Sequence, residues 1–177
     1  MTAFDTAWEL MKAPLDVDSI DYEHKLEDMQ TPVAFFDDPV TGERVPMFVG
    51  KGGNHYVRVG RDNPNDVWVA RAKAKLDTGG RNIAEGKVPY AVMHPDTKEE
   101  FRRRGYATSM YDLIAYLLSH HGGGELGPSD VQTQEGREFW QNTQMGGEKY
   151  PAEEHRLFLG APGMVEPPED LIWRPTV

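Results

Sequence analysis

The chain has 177 residues, a net charge of -10 and a mean hydropathy of -0.62. That length suits one domain with an ordinary core, and no window nears the roughly 18 apolar residues of a membrane-spanning helix. The acidic balance disfavours a general nucleic-acid binder, which must neutralise phosphates, and the lack of cysteine excludes disulfides, thiolate metal sites and a cysteine nucleophile.

The first residues, MTAFDTAWELMKAPLD, lack the basic start and continuous apolar run of a secretory signal, so a cytoplasmic protein is expected. Residues 4–13 read as a short amphipathic helix, with Phe4, Trp8 and Met11 near one face and Leu10 extending it. Asp5 or Thr6 is placed to cap it, and Pro14 ends it. Residues 15–30 are acidic and weakly patterned, which reads as a linker or docking arm. Two apolar runs, Val33–Phe36 and Val45–Val49, flank the turn-rich DDPVTGE and predict a hairpin. HYVRVG predicts a third strand. VWVARAKAKL, 67–76, predicts a fourth, with Trp68, Ala70, Ala72, Ala74 and Leu76 on one face and Arg71, Lys73 and Lys75 on a wet one. Residues 80–95 predict a fifth strand, in which Gly86 and Pro89 favour a bulge or bend over a regular central ladder.

A helix follows. Met110, Leu113, Ile114, Leu117 and Leu118 recur at helical spacing and read as core, and the glycines at 122–124 end the element. His120 and His121 suit that helix end, where cations are favoured. Residues 135–143 predict a second short helix with Thr133 as its cap and Phe139 and Trp140 as core, and 155–160 predict a late strand. The proline-rich end, 161–177, is expected to lie on the surface. Antiparallel strands followed by helix, strand, helix and strand make an α/β (α+β) fold with a mixed sheet, not an alternating array.

One stretch concentrates chemistry. In EEFRRRGYATS three arginines, Arg102, Arg103 and Arg104, run into Gly105 at the mouth of the helix. A helix N-terminus presents unpaired N–H groups and about half a positive charge, and glycine lets a ligand approach the backbone closely. Ala107 leaves space, Tyr106 is free to turn its side chain away, and Thr108 and Ser109 carry hydroxyls. Guanidinium groups add charge-assisted bonds. That chemistry suits a pyrophosphate, although the same residues also describe a solvated basic patch. Neither a Walker A loop nor a dinucleotide fingerprint fits the spacing. No third ligand stands near His94 or the His120–His121 pair at metal-binding spacing.

The pattern R-x-x-G-x-A, Arg102 to Ala107, resembles the acyl-CoA motif of the GNAT family of N-acetyltransferases. VPYAVMHP before it is similar to that family's fourth strand, and ELGPSDVQTQEGREFWQ after it to the fifth strand and fourth helix. The resemblance spans about residues 33–160 and is firmest over 88–120. It implies a GNAT-like, mostly antiparallel twisted sheet flanked by helices over 31–160. An N-terminal helix and acidic arm, 1–30, and the tail, 161–177, would lie outside it.

It also implies acetyl-CoA as co-substrate and an amine acceptor attacking the thioester directly. Backbone groups of Val92 and Met93 would hold the pantetheine arm. Arg102, Arg103, Arg104, Gly105, Tyr106, Ala107 and Thr108 would surround the pyrophosphate. Where the family places a tyrosine acid, this chain has Phe139–Trp140, leaving Ser129 or Tyr150 for that role. Glu85, with Asp77 nearby, is the candidate base. Six residues, DTKEEF, separate Pro95 from Arg102, more than the family's usual link. A second expectation is the same fold without catalysis, a component of a larger assembly gripping a protein partner through its terminal arms.

Overall fold

Alternation of apolar and polar residues lays down the sheet. The computed structural model describes residues 15–20, 31–51, 55–60, 68–76, 88–122, 124–129, 132–150, 167–168 and 170–175. Within them the fold is mixed α+β. Strands β1 (Ala34–Asp37), β2 (Arg44–Lys51), β3 (His55–Gly60), β4 (Trp68–Leu76) and β5 (Val88–Thr97) pair in order as an antiparallel meander. Helix α1 (Tyr106–Leu117) then crosses to β6 (Gly124–Gly127), which pairs parallel to β5. Helix α2 (Gln134–Gln144) follows. The hairpin, the third and fourth strands and both helices stand where the sequence pattern predicts them. The predicted helix over 4–13, the arm over 21–30 and the strand over 155–160 lie outside the described residues.

Helix α1 packs across β3, β4, β5 and β6. Met110, Leu113, Ile114, Leu117 and Leu118 are all buried, and each apolar side chain of that size contributes about 1.5–3 kcal/mol on burial. Beneath it Ala70, Ala72 and Ala74 are small and fully buried, so the helix axis can approach the sheet closely. The opposite face of β4 carries exposed Arg71 and Lys75, with Arg71 lying over the Trp68 ring at 4.5 Å and pairing with Asp96 at 3.7 Å. Helix α1 ends in one π-helical turn, Leu118–Gly122, where exposed His120 stacks on Tyr116. Thr133 caps α2, its Oγ1 accepting the Gly136 N–H.

Two prolines sit in β5 without breaking it. The last β4 pair is Leu76 with Tyr90, so Pro89 falls just past that ladder, and on its other side it stands level with Glu125 of β6. Arg71 pairs with Asp96 and Lys73 with Met93, so Ala72 alone faces both His94 and Pro95. That is a one-residue bulge, a position that tolerates proline. The strand then runs to Thr97, and a 3₁₀ turn, Glu99–Phe101, completes the link to the arginines. The long DTKEEF link is therefore strand extension plus one tight turn.

Of the segment read as a linker or docking arm, residues 15–20 are docked: Leu15 and Ile20 belong to the core, and Ser19 Oγ accepts the Phe35 N–H on edge strand β1. The tail read as surface is anchored at Trp173, which is only 3% exposed. Its backbone N–H donates to the Leu126 carbonyl of β6 at 2.7 Å, and its indole N–H donates to the buried Asp112 carboxylate of α1 at 2.8 Å. Tyr111, Phe139 and Trp140 surround its rings. Gln144 and Arg174 exchange two further bonds. Sequence periodicity misses this because a lone tryptophan among prolines has no pattern to report.

Trp173→Ala is expected to destabilise the full-length chain by about 3–5 kcal/mol. Trp173→Phe keeps a ring but removes a donor from Asp112, and is expected to cost about 1–3 kcal/mol. Urea unfolding of the two variants measures this. A loss below roughly 0.5 kcal/mol for Trp173→Ala, the range of surface substitutions, would contradict the anchoring role.

Candidate functional site

The RRRG turn is fixed from a distance by one carboxylate. Asp38 lies in the β1–β2 turn and is 1% exposed. Its Oδ1 accepts the Val40 and Thr41 N–H groups at 2.8 and 3.3 Å, which forms the turn itself. Its Oδ2 accepts the Tyr106 hydroxyl at 2.9 Å and Nη1 of Arg104 at 3.3 Å. Burial acts to raise the Asp38 pKa. The Val40 N–H, the Tyr106 hydroxyl, the Thr41 N–H and the Arg104 charge outweigh it and hold the carboxyl below its ordinary value. Tyr106 packs edge-on against Phe36, and Arg104 lies over Phe101.

This arrangement sorts the candidate residues. Tyr106 points into the core, and Thr108 is buried beside it, while Ala107 is half-buried. Arg104, half-buried at 24% side-chain exposure, is paired with Asp38. Arg102 and Arg103 are exposed; Arg102 Nε donates to the Thr97 carbonyl. Glu99 and Glu100 are exposed close by and temper the positive charge. The backbone here is sharply bent, with Arg103 at φ 60° and Gly105 at φ 83°. Gly105 is the N-cap of α1, and no side chain caps the helix there. A left-handed turn costs a non-glycine residue about 1–2 kcal/mol, so glycine at 105 suits the conformation that opens the helix.

Strands β5 and β6 are parallel neighbours in the sheet. They pair only from Val88–Gly124 to Ala91–Gly127. Beyond that β5 continues through Val92, Met93 and the His94–Pro95 bulge to Thr97, whereas β6 passes into Pro128, which has no N–H to offer. In open sheets ligands commonly bind outside the carboxyl ends of parallel strands. Val92 and Met93 lie on the stretch of β5 beyond its pairing with β6.

Ser129 follows Pro128, two residues past the end of β6, and is half-buried. Tyr150 is buried, and its hydroxyl donates to Gln132 Oε1 at 2.6 Å, tying it to the segment after Ser129. Glu85 and Asp77 lie outside the described residues. Burial pushes the Tyr111 hydroxyl far above its usual value, so that group stays protonated in the core. Among the described residues no group of three or more His, Asp or Glu side chains could hold a metal ion, and no helix is long and apolar enough to cross a membrane.

Sequence reasoning assigned Asp38 to a turn and missed its second role. The signal is weak: an aspartate in DDPVTGE is sufficient for the turn alone. No protein-family model matches the chain, and neither a curated protein nor a solved structure is significantly similar to it.

Asp38→Asn is expected to lower stability by about 1.5–3 kcal/mol at neutral pH, because bonds to a charged acceptor are lost. A carboxyl held below its unfolded value of about 3.9 stabilises fully above that pH, and the contribution disappears as pH falls through the folded value. The gap between wild type and Asp38→Asn should therefore be constant from pH 7 to about 5 and shrink below about 4. Paired urea titrations across that range measure it. A gap that widens on acidification would contradict the assignment.

Proposed function

We propose that this chain is a GNAT-like N-acetyltransferase that moves an acetyl group from acetyl-CoA to an amine. The carrying observation is one continuous unit. A bulged strand runs on past the end of its parallel neighbour and leads through R-x-x-G-x-A into a glycine-capped helix. Each part supplies a different element of acyl-CoA recognition. The helix end and the exposed Arg102 and Arg103 suit a pyrophosphate. The extended backbone of Val92 and Met93 suits the amides of a pantetheine arm. The bulge disturbs the ladder where a thioester carbonyl would need a backbone N–H.

In this reading a neutral amine attacks the acetyl carbon, the C–N bond forms and the C–S bond breaks. The amine loses its proton to a base, and the departing thiolate gains one. Arg104 acts through position: bound to Asp38 and stacked on Phe101, it holds the turn while its two neighbours face the ligand. Tyr150, one of the two candidate acids, already donates its hydroxyl proton to Gln132. The engaged tyrosine also favours a second reading, in which the site binds CoA without turnover.

Calorimetric titration of the purified chain with acetyl-CoA tests the proposal. Saturable binding at micromolar levels is expected. Arg103→Glu should weaken it at least about tenfold, near 1.4 kcal/mol, without loss of fold. Arg104→Glu should mainly lower stability. Binding with no acetyl transfer to any amine in a broad panel would select the second reading. A folded protein that binds neither acetyl-CoA nor CoA would overturn both.

A further inference from the structure

The sheet face turned away from the core carries an unbalanced charge. Val57, Val59, Ala70, Ala72 and Ala74 are buried in the core, so the alternate residues of β3 and β4 lie on the other face. There Arg58 stands directly across from Arg71, and Lys73 and Lys75 continue the same row along β4. Like charges directly opposite one another destabilise a sheet. Arg71 and Lys75 are exposed, and Arg58 and Lys73 are half-buried. Among the described residues only Arg71 of these four has an ion-pair partner, Asp96 at 3.7 Å. The chain as a whole has a net charge of -10, so acids are plentiful, yet among the described residues none neutralises Arg58, Lys73 or Lys75.

The spacing of the row says what would. Side chains on one face of a strand recur about every 6.6 Å. An extended peptide has the same period, so carboxylates at every second residue would meet Arg71, Lys73 and Lys75 in turn. A nucleic acid matches less well. Its affinity rests on many phosphate contacts and on free aromatic faces for stacking. At the head of this row Arg71 and Lys98 already lie over the Trp68 ring, at 4.5 and 5.6 Å. The acidic chain also repels a polymer with a charge on every phosphate more than it repels a peptide with a few carboxylates.

We propose that this face docks an acidic segment of a partner protein, held extended along β4 with alternate carboxylates on Arg71, Lys73 and Lys75 and a flanking one on Arg58. The surface is separate from the acetyl-transfer reading, which uses the carboxyl end of β5 and the start of α1. Exposed charges of this kind set register and encounter rate more than affinity, so the docking is salt-sensitive.

Fluorescence anisotropy of a labelled decapeptide that alternates glutamate with threonine, titrated with the full-length chain at about 50 mM salt, tests the surface. Saturable binding is expected, weakened severalfold at about 300 mM salt. The double variant Lys73→Glu, Lys75→Glu should bind at least about tenfold more weakly. Lys73→Ser with Lys75→Ser removes the charges without reversing them and serves if the glutamate variant fails to fold. Acetyl-CoA affinity should be the same in wild type and variants. A peptide of the same composition with its glutamates in one block should bind more weakly than the alternating one. No binding by folded wild type, or equal binding by the variants, would overturn the proposal. Equal binding of the block peptide would overturn the extended register. Tighter binding of an oligothymidylate of the same length would replace the acidic peptide with a nucleic acid. If acetyl-CoA does not bind but the peptide binds and needs the lysines, the transfer reading fails while the docking surface stands.

Discussion

The fold and the candidate site both depend on the Asp38 carboxylate. One oxygen closes the first hairpin turn, and the other receives Tyr106 and Arg104 from the start of α1. The first turn of the sheet is thereby fastened to a helix that begins nearly seventy residues later. A buried carboxylate is stable only when its lone pairs are filled, so the two ends must assemble together. The consequence at the site is geometric. With Tyr106 drawn inward and Arg104 held, Gly105 turns left-handed, and Arg102 and Arg103 are left facing solvent.

A second constraint ends β6 and braces it. β6 is short and would be an exposed edge, but Trp173 bonds to Leu126 from the far side and locks its indole onto Asp112 of α1. With that edge satisfied and Pro128 ending the strand, β6 cannot follow β5 past Ala91. The end of their pairing is thus built into the sequence at Gly127–Pro128. The C-terminal residues around Trp173, far from forming a loose tail, brace β6 against α1.

Much of this was legible in the sequence. The β1–β2 hairpin follows from apolar runs around DDPVTGE, and α1 from the stripe Met110 to Leu118, because both elements are repeats of a simple period. The pyrophosphate-like turn was legible because glycine and arginines stand together. What was hidden depends on contacts between distant residues. Asp38, Asp112 and Trp173 are each unremarkable locally, and only folding brings donor to acceptor. The division of labour among the arginines was hidden for the same reason, since three identical side chains look equivalent until one meets Asp38.

The central claim is that the ligand enters where β5 leaves β6 and meets the helix end at Gly105. Amide NMR of the labelled chain, titrated with acetyl-CoA, tests it most directly. The account predicts saturating shifts concentrated at residues 92–97 and 103–108, with β1, β2 and β3 unmoved. Shifts confined to the basic face around Arg71 and Lys75, or no shifts from a folded protein, would contradict it.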